Sequence, residues 1–242
     1  YPDSISIGTL AGAGTLGLLI PPSIIMIVYG VTANVSIAKL FIAGVFPGLI
    51  LAGLFMAYTI VWAVLHPDQI PHADQNLSFA QKLHESRHLI PVVSLIAAVL
   101  GSIYTGIATA TEAAALGVVG SLLIAAMQGE LSWKNFRDSL IGGTRLYCMI
   151  ALILAGAAFL TLSMGYIGLP RHLAEWIIGL QLSPLALIVA LMVFFIILGC
   201  FLDGISMVVL TMGVLLPTVE GAGIDLLWFG IFVVLVVEMA QI

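Results

Sequence analysis

Charge is the scarcest commodity in this 242-residue chain. Aspartate, glutamate, lysine and arginine make up 8% of it, whereas 62% of the residues are hydrophobic. A soluble domain carries roughly a quarter charged residues, so these side chains cannot cover a water-facing surface, and the apolar remainder must face lipid. The formal net charge of −5, with no basic run, argues against a nucleic-acid partner. Cysteine is nearly absent. Cys148 and Cys200 lie in apolar stretches without CxxC or metal-ligand spacing, and are read as small buried residues. The five histidines (His66, His72, His84, His88 and His172) fall in connections and form no spaced metal set. There is no HExxH, GxSxG or Gly-rich phosphate loop, and only one aspartate falls inside an apolar stretch. Protease and ATPase chemistry therefore have no support, and the chain is read as a non-enzyme without an organic cofactor.

Apolar runs are what the chain has instead. At roughly 20 residues per spanning helix, its length allows about seven or eight crossings. The spacing predicts spans over 5–30 (broken at Pro21-Pro22), 40–65, 89–103, 107–127 and 146–169, a re-entrant hairpin over 184–217, and a last segment over 226–242. The hairpin follows from length: 34 residues exceed one crossing and fall short of two, and Asp203-Gly204 near the middle suits a tip. Leu131, Trp133, Phe136 and Leu140 repeat like the apolar face of an interfacial helix, and 170–182, with Arg171 and Trp176, reads as interfacial too. The chain opens on Tyr1-Pro2-Asp3, shows no signal-peptide pattern, and stops at Gln241-Ile242 within an apolar run. It is read as one transmembrane domain, incomplete at both ends.

The basic residues orient these spans. The 66–88 and 128–145 connections hold five of the seven lysines and arginines and are separated by two spans, so both lie on one face. The positive-inside tendency makes that face cytoplasmic. The opposite connections carry only Lys39 and Arg171.

Three constellations carry candidate chemistry. In Gly14-Thr15-Leu16-Gly17-Leu18-Leu19-Ile20-Pro21-Pro22-Ser23 the prolines end a helix and free carbonyls at membrane depth. Such a break survives where protein, water or an ion satisfies it. Freed carbonyls with the Thr15 and Ser23 hydroxyls are hard oxygens that suit sodium, and the restarting helix turns its positive end toward the gap. A purely structural kink with glycines for close packing is the competing reading. In Leu202-Asp203-Gly204-Ile205-Ser206 the carboxylate is flanked by apolar sequence; it either holds a cation, proton or substrate, or caps the following helix, and the two roles are compatible. Glu112, in Tyr104-Thr105-Gly106-Ile107-Ala108-Thr109-Ala110-Thr111-Glu112, is divided between polar structural glue and the translocation path. Glu238 would begin a further break if more chain followed.

These motifs have a family likeness. GTLGLLIPPS (14–23), SIAKLFIAGVFPG (36–48), YTGIATATEAAALG (104–117), LGCFLDGISM (198–207) and EMAQI (238–242) resemble, in order and along nearly the whole chain, the large membrane subunit of TRAP transporters, the DctM-like component of tripartite ATP-independent periplasmic transporters. The resemblance implies an all-α polytopic elevator-type transporter with inverted repeats, each a re-entrant hairpin followed by a broken helix. It implies sodium-driven uptake of an organic acid such as a C4-dicarboxylate or sialic acid across the bacterial inner membrane. The implied partners are a periplasmic substrate-binding protein (DctP-like) and a small membrane subunit (DctQ-like). Carried onto this chain, Ser23 and Asp203 are expected near substrate or sodium. Gly14, Thr15, Gly17 and Ser206 would supply ion ligands or close backbone approach, with Glu112 and Glu238 as further ion-path candidates. The family's first hairpin precedes its IPPS helix and a Thr-Pro-Pro break follows its EMAQI-like stretch; neither falls within these residues. A stand-alone sodium–carboxylate symporter or ion transporter of the same architecture is the alternative, and a non-transporting scaffold subunit the more distant one.

Overall fold

The structure is a computed structural model that describes residues 2–69, 81, 86–179 and 183–241. Most of the polar 66–88 connection, including Lys82, His72 and His84, therefore lies outside the described residues, as do 180–182 of the interfacial segment and Ile242 of the EMAQI stretch. Among the described residues there is no strand. The α-helices with described bounds follow in order: α1 (Asp3–Leu19), α2 (Ile24–Thr32), α3 (Ile37–Leu65), α4 (Ile90–Tyr104), α5 (Ala110–Met127), α6 (Trp133–Ile167), α7 (Leu169–Gly179), α8 (Pro184–Gly199), α9 (Gly204–Gly221) and α10 (Leu226–Ala240).

By length and composition α3, α5, α6 and α9 can each cross a membrane, and α1 with α2 forms a span bent by 40° at its break. α4, α8 and α10 are shorter apolar helices. Large side chains lie bare on their flanks: Leu152 is 76% exposed, Phe159 74% and Val64 73%. In water that surface would be untenable, whereas in lipid it is the solvent-facing side. The chain is a multi-pass, all-helical membrane protein. One expectation fails here. Cys148 and Cys200 are both exposed, because a weakly polar thiol costs little against lipid and need not be packed inside.

The chain divides into two compact units. The first holds residues 1–7 and 56–143, and its centre is the α4–α5 pair. Ala113, Gly117 and Gly120 stand at i, i+4 and i+7, so α5 presents one face of small residues. A side chain at Gly120 would run into Leu95, and one at Gly117 would sit 3.4 Å from Val99. The link between the helices turns at Gly106, whose φ of +72° suits glycine. It then closes in a capping box: the Thr109 backbone N–H and hydroxyl each donate to Glu112 at 2.8 Å, while the Glu112 N–H donates back to Thr109 Oγ1 at 3.3 Å.

The second unit holds 8–55 and 144–242. Here α9 packs against α7, α2 and α10, and α10 packs against α8 and α2. Its interior is apolar and fully enclosed, with Tyr29, Phe195, Met207, Met212, Phe229 and Val233 all at 0% exposure. Glycines let the elements close up. Gly44 on α3 sits under Met26, Gly213 on α9 receives Thr161 from α6, and Gly230 on α10 lies against the ring of Tyr29.

Candidate functional site

The first helix break is built by its own sequence. α1 stops at Leu19 because the two prolines that follow cannot donate into a helix ladder. α2 restarts with Ser23 as its N-cap, in extended backbone at φ −114° and ψ 128°. Ser23 is fully buried and has two jobs. Its Oγ accepts the Met26 N–H at 3.3 Å, and its hydroxyl donates to the Leu18 carbonyl. One of the freed carbonyls is therefore satisfied from within the chain. One turn earlier, Thr15 Oγ1 lies 3.1 Å from the Gly12 carbonyl and 3.4 Å from Glu238 Oε1. Gly14 and Gly17 are exposed, with open space where a side chain would be.

The 184–217 segment turns at Asp203. α8 ends at Gly199, and Asp203 caps α9 by accepting the Ile205 and Ser206 N–H groups on Oδ2, both at 3.1 Å. Asp203 itself is exposed. The capping reading of this acid is thus seen directly, and a charge held at an accessible turn between two apolar helices stays available for a second role.

Gly204 is where the candidate elements meet. A β-carbon there would fall 2.7 Å from Ile25 of α2, 2.7 Å from Val237 of α10 and 3.0 Å from the Gln241 side-chain nitrogen. Gly199 repeats this on the other arm, lying against Ala240. The turn between α8 and α9 is thereby seated between the restart of the first broken helix and the end of α10. Of the residues singled out from sequence, Ser23, Thr15, Asp203, Ser206 and Glu238 belong to these converging elements, with Gly14 and Gly17 on the adjoining turns of α1. Glu112 belongs to the other unit, and its carboxylate is engaged in the α5 cap.

Two features escaped the sequence reading. Tyr29, fully buried, donates from its hydroxyl to the Leu226 carbonyl at 2.6 Å. A lone tyrosine in the apolar run IIMIVYGVT is the signal that pointed to it, since a buried phenol needs an acceptor. Gly204 was read as part of a hairpin tip and Gly199 was not singled out, yet close approach is what both supply. Glu238, read as an ion-path candidate at the start of a further break, is fully buried, and its Oε2 has no hydrogen-bond partner among the described residues.

Comparison with known proteins bears on the same residues. The family model described as "Tripartite ATP-independent periplasmic transporter, DctM component" matches residues 1–242. The chain is 31% identical over its whole length to a C4-dicarboxylate TRAP transporter large permease protein DctM of Pseudomonas aeruginosa, covering 56% of that protein. It is 33% identical to an isethionate TRAP transporter permease protein DctMQ of Oleidesulfovibrio alaskensis over 97% of this chain and 37% of the relative. A sialic acid TRAP transporter permease protein SiaT of Haemophilus influenzae is 31% identical over 97% of this chain and 38% of its own length. The chain thus spans from about a third to just over half the length of these relatives.

Proposed function

The chain belongs to the DctM-component family of tripartite ATP-independent periplasmic transporters, and on that basis we propose that it is part of a permease that couples inward sodium movement to uptake of an organic acid. The permease sits in the bacterial inner membrane. A periplasmic binding protein delivers the acid, and a small membrane subunit braces the scaffold while an elevator domain carries the cargo inward. The observation that carries this reading is the convergence at Gly204, where the turn capped by Asp203, the first helix break and the end of α10 share one locus.

Each part has a physical task. The N-terminus of α2 turns unpaired N–H groups and a partial positive charge toward the break, which suits an anion. Asp203 supplies a fixed negative charge at the turn, and its cap bonds fix where that charge stands. Ser23 holds the break open in one geometry. Gly14, Gly17 and Ser206 allow ligand or ion to come close to backbone oxygens. Sodium is the driving cargo: each ion moving down 100 mV supplies about 2.3 kcal/mol, and each negative charge on the acid costs as much on entry, so the potential drives accumulation only when sodium ions outnumber the charges on the acid.

The test is reconstitution of the full-length permease with its small subunit in proteoliposomes. The substrate panel follows the relatives' names: C4-dicarboxylates, isethionate and sialic acid. Uptake that needs both an inward sodium gradient and the binding protein is the expected result and identifies the substrate. Uptake with sodium alone would move the chain to the stand-alone carriers. No uptake and no sodium-dependent stabilisation would leave a scaffold subunit.

A further inference from the structure

Glu238 has an environment unlike that of any other acid among the described residues. It is fully enclosed in the last turn of α10. The helices of its unit that surround it (α1, α2, α8, α9 and α10) contain no lysine, arginine or histidine. Their remaining acids are Asp3 and Glu220, with Asp203 and Asp225 at two of the caps. α3 brings only Lys39, which is exposed at that helix's start. An isolated charge in such a place is costly.

The contact it does make is informative. Thr15 Oγ1 is 3.1 Å from the Gly12 carbonyl and 3.4 Å from Glu238 Oε1, but a hydroxyl has one proton to give and two lone pairs to receive. Gly12 and Glu238 Oε1 compete for that proton, and where Gly12 takes it a protonated Glu238 can donate to Thr15 instead. A glutamine side chain, with an oxygen to accept and an amide to donate, serves either way. On the turn that carries Thr15, Gly14 and Gly17 have no side chain and open space beside them.

We infer that Glu238 is a positioning residue, which holds Thr15, and with it the Gly12–Gly17 turn of the first broken helix, through a hydrogen bond in which its charge takes no part. The inference rests on the sodium-coupled reading above: by fixing that turn, the pair sets how well the break is shaped for sodium without Glu238 touching the ion. It also joins the end of α10 to the first helix break, so the two loci are tuned together.

The test uses the full-length permease with its small subunit in detergent and sodium as the only ligand. The readout is the sodium concentration that half-maximally raises the unfolding temperature. Glu238→Gln is expected to stay within about twofold of the native protein, whereas Glu238→Ala and the isosteric Thr15→Val each weaken the sodium response about fivefold. The double variant is expected to be no worse than either single one. A Glu238→Gln variant as impaired as Glu238→Ala would overturn the inference, because the charge would then be what acts; additive losses in the double variant would overturn it as well. If the native protein shows no sodium response, the sodium reading fails separately. The pair is then read from unfolding temperature without sodium, where Glu238→Gln must match the native protein and the two disruptive variants must fall by like, non-additive amounts; any other pattern overturns it.

Discussion

The Tyr29 hydroxyl donates a 2.6 Å hydrogen bond to the carbonyl of Leu226, 197 residues further along the chain. It ties the restarted half of the first broken helix to the first turn of α10, and Gly230 leaves room for the ring. Replacing the tyrosine by phenylalanine keeps the ring and removes only this bond, because the Leu226 carbonyl still belongs to the helix ladder. A loss of about 1 kcal/mol is expected. Tyr29→Ala empties a fully buried site and should cost about 3–5 kcal/mol, in the range of other large aromatic deletions. Thermal unfolding of the purified permease in detergent measures both, and equal losses would show that the bond, not the ring, is what matters.

Glycines separate into two kinds when a methyl group is added to them. Gly204→Ala drives a β-carbon to 2.7 Å from both Ile25 and Val237, so branched side chains must shift at the point where the α8–α9 turn is seated. About 1–3 kcal/mol of destabilisation is expected, with uptake reduced more than stability accounts for. Gly156→Ala on α6 meets nothing within 4 Å and lies inside a helix, so it should be neutral or stabilising by up to about 1 kcal/mol. Unfolding temperatures and uptake measured side by side decide the matter; similar behaviour of the two variants would refute close packing at Gly204.

How much of this was legible beforehand depends on the range of the interaction. The break at Pro21-Pro22, the cap at Asp203 and the Thr109–Glu112 box are local events, set by residues within four positions of one another, and each was readable from its own stretch of sequence. The convergence at Gly204 is not local. It joins residue 25 to residues 204, 237 and 241, and a glycine's lack of a side chain gives no hint of what will approach it. Ser23 shows the same limit from the other side. Its hydroxyl was read as a hard oxygen suited to an ion, and spacing gave no sign of the bond that it donates to the Leu18 carbonyl. The motifs that signalled the family covered what spacing alone could not, by carrying the order of the elements with them.

Ser23→Ala removes a cap and a carbonyl's partner in a fully buried place. Met26 N–H and the Leu18 carbonyl both lose a bond, and a loss of about 1–3 kcal/mol is expected. Ser23→Thr keeps the hydroxyl but adds a methyl group where there is no exposed surface, so its cost should come from crowding. If Ser23 serves only the break, sodium-dependent stabilisation in Ser23→Ala will weaken no more than the fold does. A sodium response lost outright, in a variant that still unfolds cooperatively, would mean that the hydroxyl also meets the ion.

Asp203 is the residue at which fold and function separate most cleanly. Its side chain accepts two amide hydrogens at the start of α9, and asparagine is as good an N-cap as aspartate, whereas alanine costs about 1 kcal/mol. Asp203→Asn should therefore unfold close to the native temperature, and Asp203→Ala somewhat below it. Transport should order the variants differently. If the carboxylate's charge helps hold sodium or substrate, removing it leaves the turn intact and still cuts sodium-dependent uptake by about tenfold or more, since hydrogen bonds to a charged group are worth about 1.5–3 kcal/mol. Asparagine and alanine would then be alike in uptake while differing in stability. Uptake that survives in Asp203→Asn and falls only in Asp203→Ala would reduce Asp203 to a cap, and the cation-binding chemistry of the site would have to rest on the oxygens of the first helix break alone.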